Sequence, residues 1–162
     1  MKITKLLLIV VLVAVSLVSS TPIVRAQTGT GDDKLDAIIA SISQVATKLN
    51  DKGYTVVNIT IDKGFQGETY ETSRTLYAGN EYIIFGAGAD GISKLGINLL
   101  DDKKNIVDKA PGSDANPFLI TRPDKDTKHF FETTIVGLDG TADANSSYFF
   151  GYVVGFKNVK AQ

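Results

Sequence analysis

Over residues 32–50 the apolar positions recur every third and fourth residue, and from residue 54 onward they alternate with polar ones in short runs. In the first segment Leu35, Ile38, Ile39, Ile42, Val45, Ala46 and Leu49 fall on one face of a helix. Asp32 or Asp33 can cap its start, Lys48 suits the negative end of its dipole, and Gly53 stops it. The pattern predicts one amphipathic helix over 32–50 whose stripe packs on the domain that follows. Runs rich in Val, Ile, Thr, Tyr and Phe then occupy 54–62, 68–77, 81–87, 94–100, 105–109, 117–121, 128–136 and 147–157. Turn formers separate them: Lys63-Gly64, Ala78-Gly79-Asn80, Asp90-Gly91, the acidic turn at Asp101-Asp102, Pro111-Gly112 and Asp139-Gly140. About eight strands with no second helical pattern between them predict antiparallel pairing in a sandwich or barrel. Alternation is clearest at 94–99, where Leu95, Ile97 and Leu99 should face the core and Lys94, Gly96 and Asn98 should face outward.

The first 26 residues read differently. Lys2 and Lys5 precede an apolar run over 6–18, and Val24-Arg25-Ala26 ends in a small residue. This is the pattern of a secretory signal peptide cut after Ala26, because a 13-residue apolar run, interrupted only by Ser16, is too short to span a bilayer. The expected organisation is a signal peptide over 1–26, a polar leader over 27–31, the helix over 32–50 and a β domain over 54–158. The exported chain is expected in the periplasm or outside the cell, with no transmembrane anchor after cleavage.

Composition narrows the chemistry. The 162 residues carry 17 Lys and Arg against 18 Asp and Glu, and removal of 1–26 takes away three cations and no acids. That balance gives no basic footprint for nucleic acid. With no cysteine and a single histidine, disulfides and thiolate or multi-histidine metal centres are excluded for one copy of the chain, and core burial alone must hold the fold.

Candidate catalytic groups are sparse. His129 opens a strand in Lys128-His129-Phe130-Phe131-Glu132, and no Gly-x-Ser-x-Gly elbow exists to use it, so it reads as a half-buried strand histidine. Of the four glutamates, Glu68 and Glu71 have opposite parity on one strand, while Glu81 and Glu132 open or sit within others. No converging carboxylate pair is visible, and no catalytic residue is assigned. Tyr148, Phe150, Tyr152 and Phe156 share one strand face, which could stack sugars if exposed. The alternate residues from Gly151 on, Gly151, Val153 and Gly155, are poor core filler, so the aromatic face is expected to be buried and the glycine face open to a partner or to the helix. The stretch 86–91 lacks the Lys-Ser/Thr of a phosphate loop and is expected to be a flexible connection.

Taken together, Gly53-Tyr54-Thr55-Val56, the strand over 68–76 followed by Tyr77-Ala78-Gly79-Asn80-Glu81-Tyr82-Ile83-Ile84, the strand over 95–99 with its Asp101-Asp102 turn, the segment from Pro117 to Pro123, and the closing run from Tyr148 to Phe156 resemble the bacterial pre-peptidase C-terminal (PPC) type β-sandwich. The likeness covers about 34–157 and follows the small stand-alone secreted form. It implies a jelly-roll-like sandwich of about eight strands, a binding or accessory role and no catalytic residues. Such domains often carry an Asp-Leu-Asp-Leu strand that can hold a cation, whereas the matching residues here are Lys94-Leu95-Gly96-Ile97. Asp90, Asp101 and Asp102 are the acids left nearby, and they read as turn residues rather than as a calcium set, which needs six to eight oxygens. No metal or cofactor is expected. The functional expectation is a small exported, non-enzymatic module that binds a protein or cell-envelope component, with a carbohydrate-binding module as the alternative.

Overall fold

The computed structural model describes residues 32–110 and 112–159, so the expected signal peptide and leader, Pro111 and residues 160–162 lie outside the described residues. Helix α1 (Asp33–Asp51) is capped by the Asp32 carboxylate, which accepts from the backbone N–H groups of Lys34 and Leu35 at 3.1 and 3.4 Å. Its C-terminus closes in a Schellman motif. Gly53 adopts φ +80°, its N–H donates to Asn50 O, and the Tyr54 N–H donates to Leu49 O at 3.0 Å. This closure turns the chain back so that Tyr54 packs with Leu49 and enters the first strand.

Eight strands follow: β1 (Thr55–Gly64), β2 (Thr69–Leu76), β3 (Asn80–Gly88), β4 (Ile92–Leu100), β5 (Ile106–Ala110), β6 (Phe118–Thr121), β7 (Thr127–Leu138) and β8 (Tyr148–Asn158). They form two antiparallel four-stranded sheets, in the orders β1-β8-β3-β6 and β2-β7-β4-β5. That interleaving, in which the first strand pairs with the last, is the jelly-roll arrangement. Leu95, Ile97 and Leu99 face the interior as the alternation predicts. The start of β4 lies two residues earlier than the sequence pattern suggests. Register shifts on either side of Lys94 break the period of two there, and they hide Ile92, which is buried, from a parity reading.

The first sheet is the middle layer of three. Tyr148, Phe150, Tyr152, Val154 and Phe156 of β8 face the second sheet, while Val153 on the opposite face packs against Ile38, Ile42 and Leu49 of α1. β8 is therefore covered on both sides, and its small residues have a steric cause. A Cβ built on Gly151 would sit 2.6 Å from the Thr60 carbonyl oxygen, and one on Gly155 would touch Tyr54 and Leu49.

Two expectations are corrected here. The stretch over 86–91 is not a loop: Gly86 and Gly88 belong to β3, and only Asp90-Gly91 turns. Its glycines make room for Ile97, Leu95 and Ile92, whose side-chain atoms lie 2.8–3.1 Å from where the Cβ atoms would be. The helical stripe is also wider than its contact. Ile38, Ile42 and Leu49 are buried, whereas Ile39 stands 39% exposed at the margin.

Candidate functional site

The residues singled out from the sequence separate in space. Asp90 lies in the turn before β4 and lines a cleft with Asp139, Asp143 and Tyr148. Asp101 and Asp102 lie after the other end of β4, roughly 30 Å away by strand rise, in a cleft with His129 and Arg122. The Asp101 carboxylate is occupied by its own turn. It accepts from the backbone N–H groups of Lys103 (2.9 Å) and Asn105 (2.8 Å) and from the Asn105 amide. The Asn105 hydrogen bonds are the main reason its pKa is lowered. Among the described residues no group of three or more His, Cys, Asp or Glu is gathered to hold a metal ion.

His129 faces inward beside Arg74 on the neighbouring strand, and its Nδ1 is 3.1 Å from Thr127 O. Since a carbonyl only accepts, that nitrogen carries the proton. Glu71 and Glu132 are directly opposed on β2 and β7, but Glu71 pairs with Lys104 and Glu132 accepts from Asn98, on a flat sheet face. The aromatic face of β8 is buried, with Tyr148 at 5% and Tyr152 at 2% exposure. It offers no platform for sugar.

The surface that does stand out was not legible as a site in the sequence. Where α1 lies over the first sheet it covers β8 and reaches β1 and β3, and stops short of the edge strand β6. An open groove of about 260 Å³ remains, floored by Ile83 and Phe85, walled by Phe118, and edged on the helix by Val45, Leu49, Lys48 and Lys52. Phe118 is 59% exposed and Ile120, opposite Ile83 one row along, is 47% exposed. No acidic side chain lines the groove.

One row farther toward the sheet end runs a charged tie. Cross-strand register puts Lys157 beside Glu81, with Tyr54 at the mouth of β1 and Arg122 just beyond β6. The Tyr54 hydroxyl donates to Glu81 Oε1 at 2.5 Å, Lys157 Nζ lies 2.8 Å from the same oxygen, and Arg122 Nε donates to Oε2 at 2.9 Å, joined by a second bond from its Nη2. The Glu81 side chain is only 7% exposed. These bonds, Lys157 first and then Tyr54 and Arg122, outweigh burial and hold its carboxyl down to about 2. Burial, and after it the bond to Glu81, pushes the Tyr54 phenol up. Arg122, 68% exposed, also lines the cleft that holds Asp101 and Asp102.

The groove thus sets apolar residues of the outer sheet face beside a helical rim of two lysines. No family model matches the chain, and no curated protein matches it. Among solved structures it is similar to that of PliG from Aeromonas hydrophila, a periplasmic lysozyme inhibitor of g-type lysozyme. The identity is 10% and the TM-score 0.46, over 65% of this chain and 90% of that one. No helix among the described residues is long and apolar enough to cross a membrane.

Proposed function

We propose that the chain is a small exported, non-enzymatic module of PPC-like kind that acts by binding another protein, either free or in the cell envelope. The observation that carries this reading is the uncovered apolar strip of Phe118 and Ile120 beside the helix groove. A monomer that leaves such residues in water at a sheet edge forgoes burial that a partner would supply. The dispersal of the histidine and carboxylates, with His129, Asp101 and Glu71 already engaged by neighbours, supports a binding rather than a catalytic role. Burial of Tyr148 and Tyr152 counts against the carbohydrate alternative.

The test pairs a glycan array with crosslinking mass spectrometry of the exported chain in its own envelope fraction. Reproducible crosslinks to defined proteins and a blank array are expected. A saccharide signal competed by free sugar would instead restore the carbohydrate module.

A further inference from the structure

We infer that a cleft on the other side of the sandwich, between the edge strands β1 and β2, binds the carboxylate of a small organic acid. The sheet orders put β1 and β6 at opposite edges of the first sheet. The cleft therefore shares no residue with the helix groove, and the inference does not rest on the protein-binding reading. Its volume is about 180 Å³, with walls from Asn58 and Thr60 of β1 and Thr72 and Arg74 of β2. The buried rings of Phe131 and Tyr152, stacked at 6.1 Å, form its floor. Hydrogen bonding within the cleft leaves a surplus of donors. The Asn58 amide donates to Thr60 Oγ1 at 3.0 Å, so its second N–H and the Thr60 hydroxyl proton stay uncommitted. Thr72 and Tyr152 bond through their hydroxyls, which engages one proton and leaves the other. Arg74, half-buried, reaches across between the sheets and donates from Nη1 to Val57 O at 2.9 Å. Among the described residues Arg74 has no ion pair, and no carboxylate lines the cleft. A guanidinium withdrawn from water in this way lacks the anion that would compensate it.

A carboxylate answers all of these features together. It brings only acceptors, matches the fork of a guanidinium, and carries the single charge that Arg74 balances. The aromatic floor offers an apolar surface to a short carbon chain. Sites for drug-sized ligands run to roughly 300–1,000 Å³, so a cleft of this size limits the acid to a few carbons. Other ligands fit less well. Phosphate would bring more negative charge with no second cation in the lining, and would leave the floor uncovered. A neutral sugar would leave Arg74 uncompensated, and a divalent cation would meet no anionic ligand.

The experiment is an NMR titration of the isotope-labelled, full exported chain with glutarate. Glutaramide, inorganic phosphate, glucose and a capped Gly-Glu-Gly tripeptide serve as comparisons. Saturable shifts at the Arg74 Nε–H and the Asn58 side-chain amide are expected, with a dissociation constant of about 1 mM or below. Glutaramide should bind about ten-fold more weakly, or worse. Arg74→Gln should weaken glutarate by about ten-fold or more, and Thr60→Val, which keeps the shape and removes one donor, by about three-fold. Arg74 also ties β2 to β1, whereas Thr60→Val leaves that tie in place. An unchanged melting temperature then separates loss of binding from loosened strands. No saturation at tens of millimolar, or glutarate binding that survives Arg74→Gln, would make Arg74 a strut between the sheets and overturn the proposal. Glutaramide or glucose binding as tightly as glutarate would make this a neutral polar site. Tighter binding of phosphate would make it a general anion site, and tighter binding of the tripeptide a socket for a partner's acidic side chain. Each of these outcomes also overturns the assignment to a small acid. All of them leave envelope crosslinking, and with it the protein-binding reading, untouched.

Discussion

The two sheets use their outward faces in opposite ways. On the second sheet the outer face is mostly polar: Thr69 meets Thr134, Glu132 accepts from Asn98, and Phe130 lies under the ammonium groups of Lys104 and Lys128 at 3.3 and 4.8 Å, while Val107 and Val136 stand about half exposed. On the first sheet the outer face carries Val56, Ile61 and Val153, which α1 covers, Ile83, which it covers in part, and Ile59, Phe118 and Ile120, which it leaves about half exposed. A solvated face can be finished residue by residue with charges laid over an aromatic ring. An apolar face needs another element over it, and a single helix of 19 residues does not cover four strands. The uncovered part on β6 is where binding is proposed.

The largest effect should come from the covered side. Ile42 is 2% exposed between α1 and β8, and Ile42→Asp should cost about 3–5 kcal/mol in denaturant unfolding, by stranding a carboxylate among apolar groups. Ile39→Asp, at the margin of the same stripe, should cost less than about 1 kcal/mol. Equal losses at the two positions would mean that the helix is seated differently. Helix and sheets should also melt in one transition.

Next comes the charged tie. Glu81 is held at about 2 in the folded state against an ordinary value of 4.5, so the folded state binds fewer protons than the unfolded one between those values. Its contribution is full above about pH 5 and drains away as the pH falls toward 2. The shift corresponds to at most about 3 kcal/mol, and because Arg122 and Lys157 reach into solvent, roughly 1–2 kcal/mol should be measured. Glu81→Gln should flatten that part of the acid-stability curve. An unchanged curve would show that the tie contributes nothing.

The polar sheet should be the least sensitive region. Lys104→Ala breaks an ion pair with Glu71 between half-exposed side chains, and should shift stability by less than about 1 kcal/mol, an effect that salt reduces further. Calcium and EDTA should leave the melting temperature unchanged, because the Asp101 carboxylate is already committed to turn N–H groups and Asp90 lies at the far end of β4. A rise of several degrees with calcium, lost in Asp101→Asn with Asp102→Asn, would show the acidic turn to be a site.

Strand number, sheet class and the burial of the β8 aromatics were legible because each rests on period-two alternation or on small residues between large ones. Gly151 and Gly155 announced a close approach, and the Thr60 carbonyl, Tyr54 and the α1 side chains Ile42 and Leu49 supply it. The site was less legible. Glu81 reads as an ordinary strand-opening acid, since its partners Tyr54, Arg122 and Lys157 come from three distant segments that only the jelly-roll order brings into one row. The groove left a fainter trace. Phe118-Leu119-Ile120 is apolar at three consecutive positions, so parity alone sends two of them outward, but which strand lies at an edge, and how far a helix reaches, are properties of topology.

The register of β1 with β8 has a mechanical consequence. Thr55 at the start of β1 lies opposite Phe156 near the end of β8, and the ladder runs antiparallel from there to Gly64 and Tyr148. A pull on Tyr54 and Asn158 therefore loads the hydrogen bonds one after another, as in opening a zipper, instead of shearing them together. The Tyr54–Glu81–Lys157 contacts stand at the mouth of that zipper and take the first of the load. Under tension the jelly roll should open from this end, with the strength of one phenol–carboxylate–ammonium latch setting the force at which peeling begins.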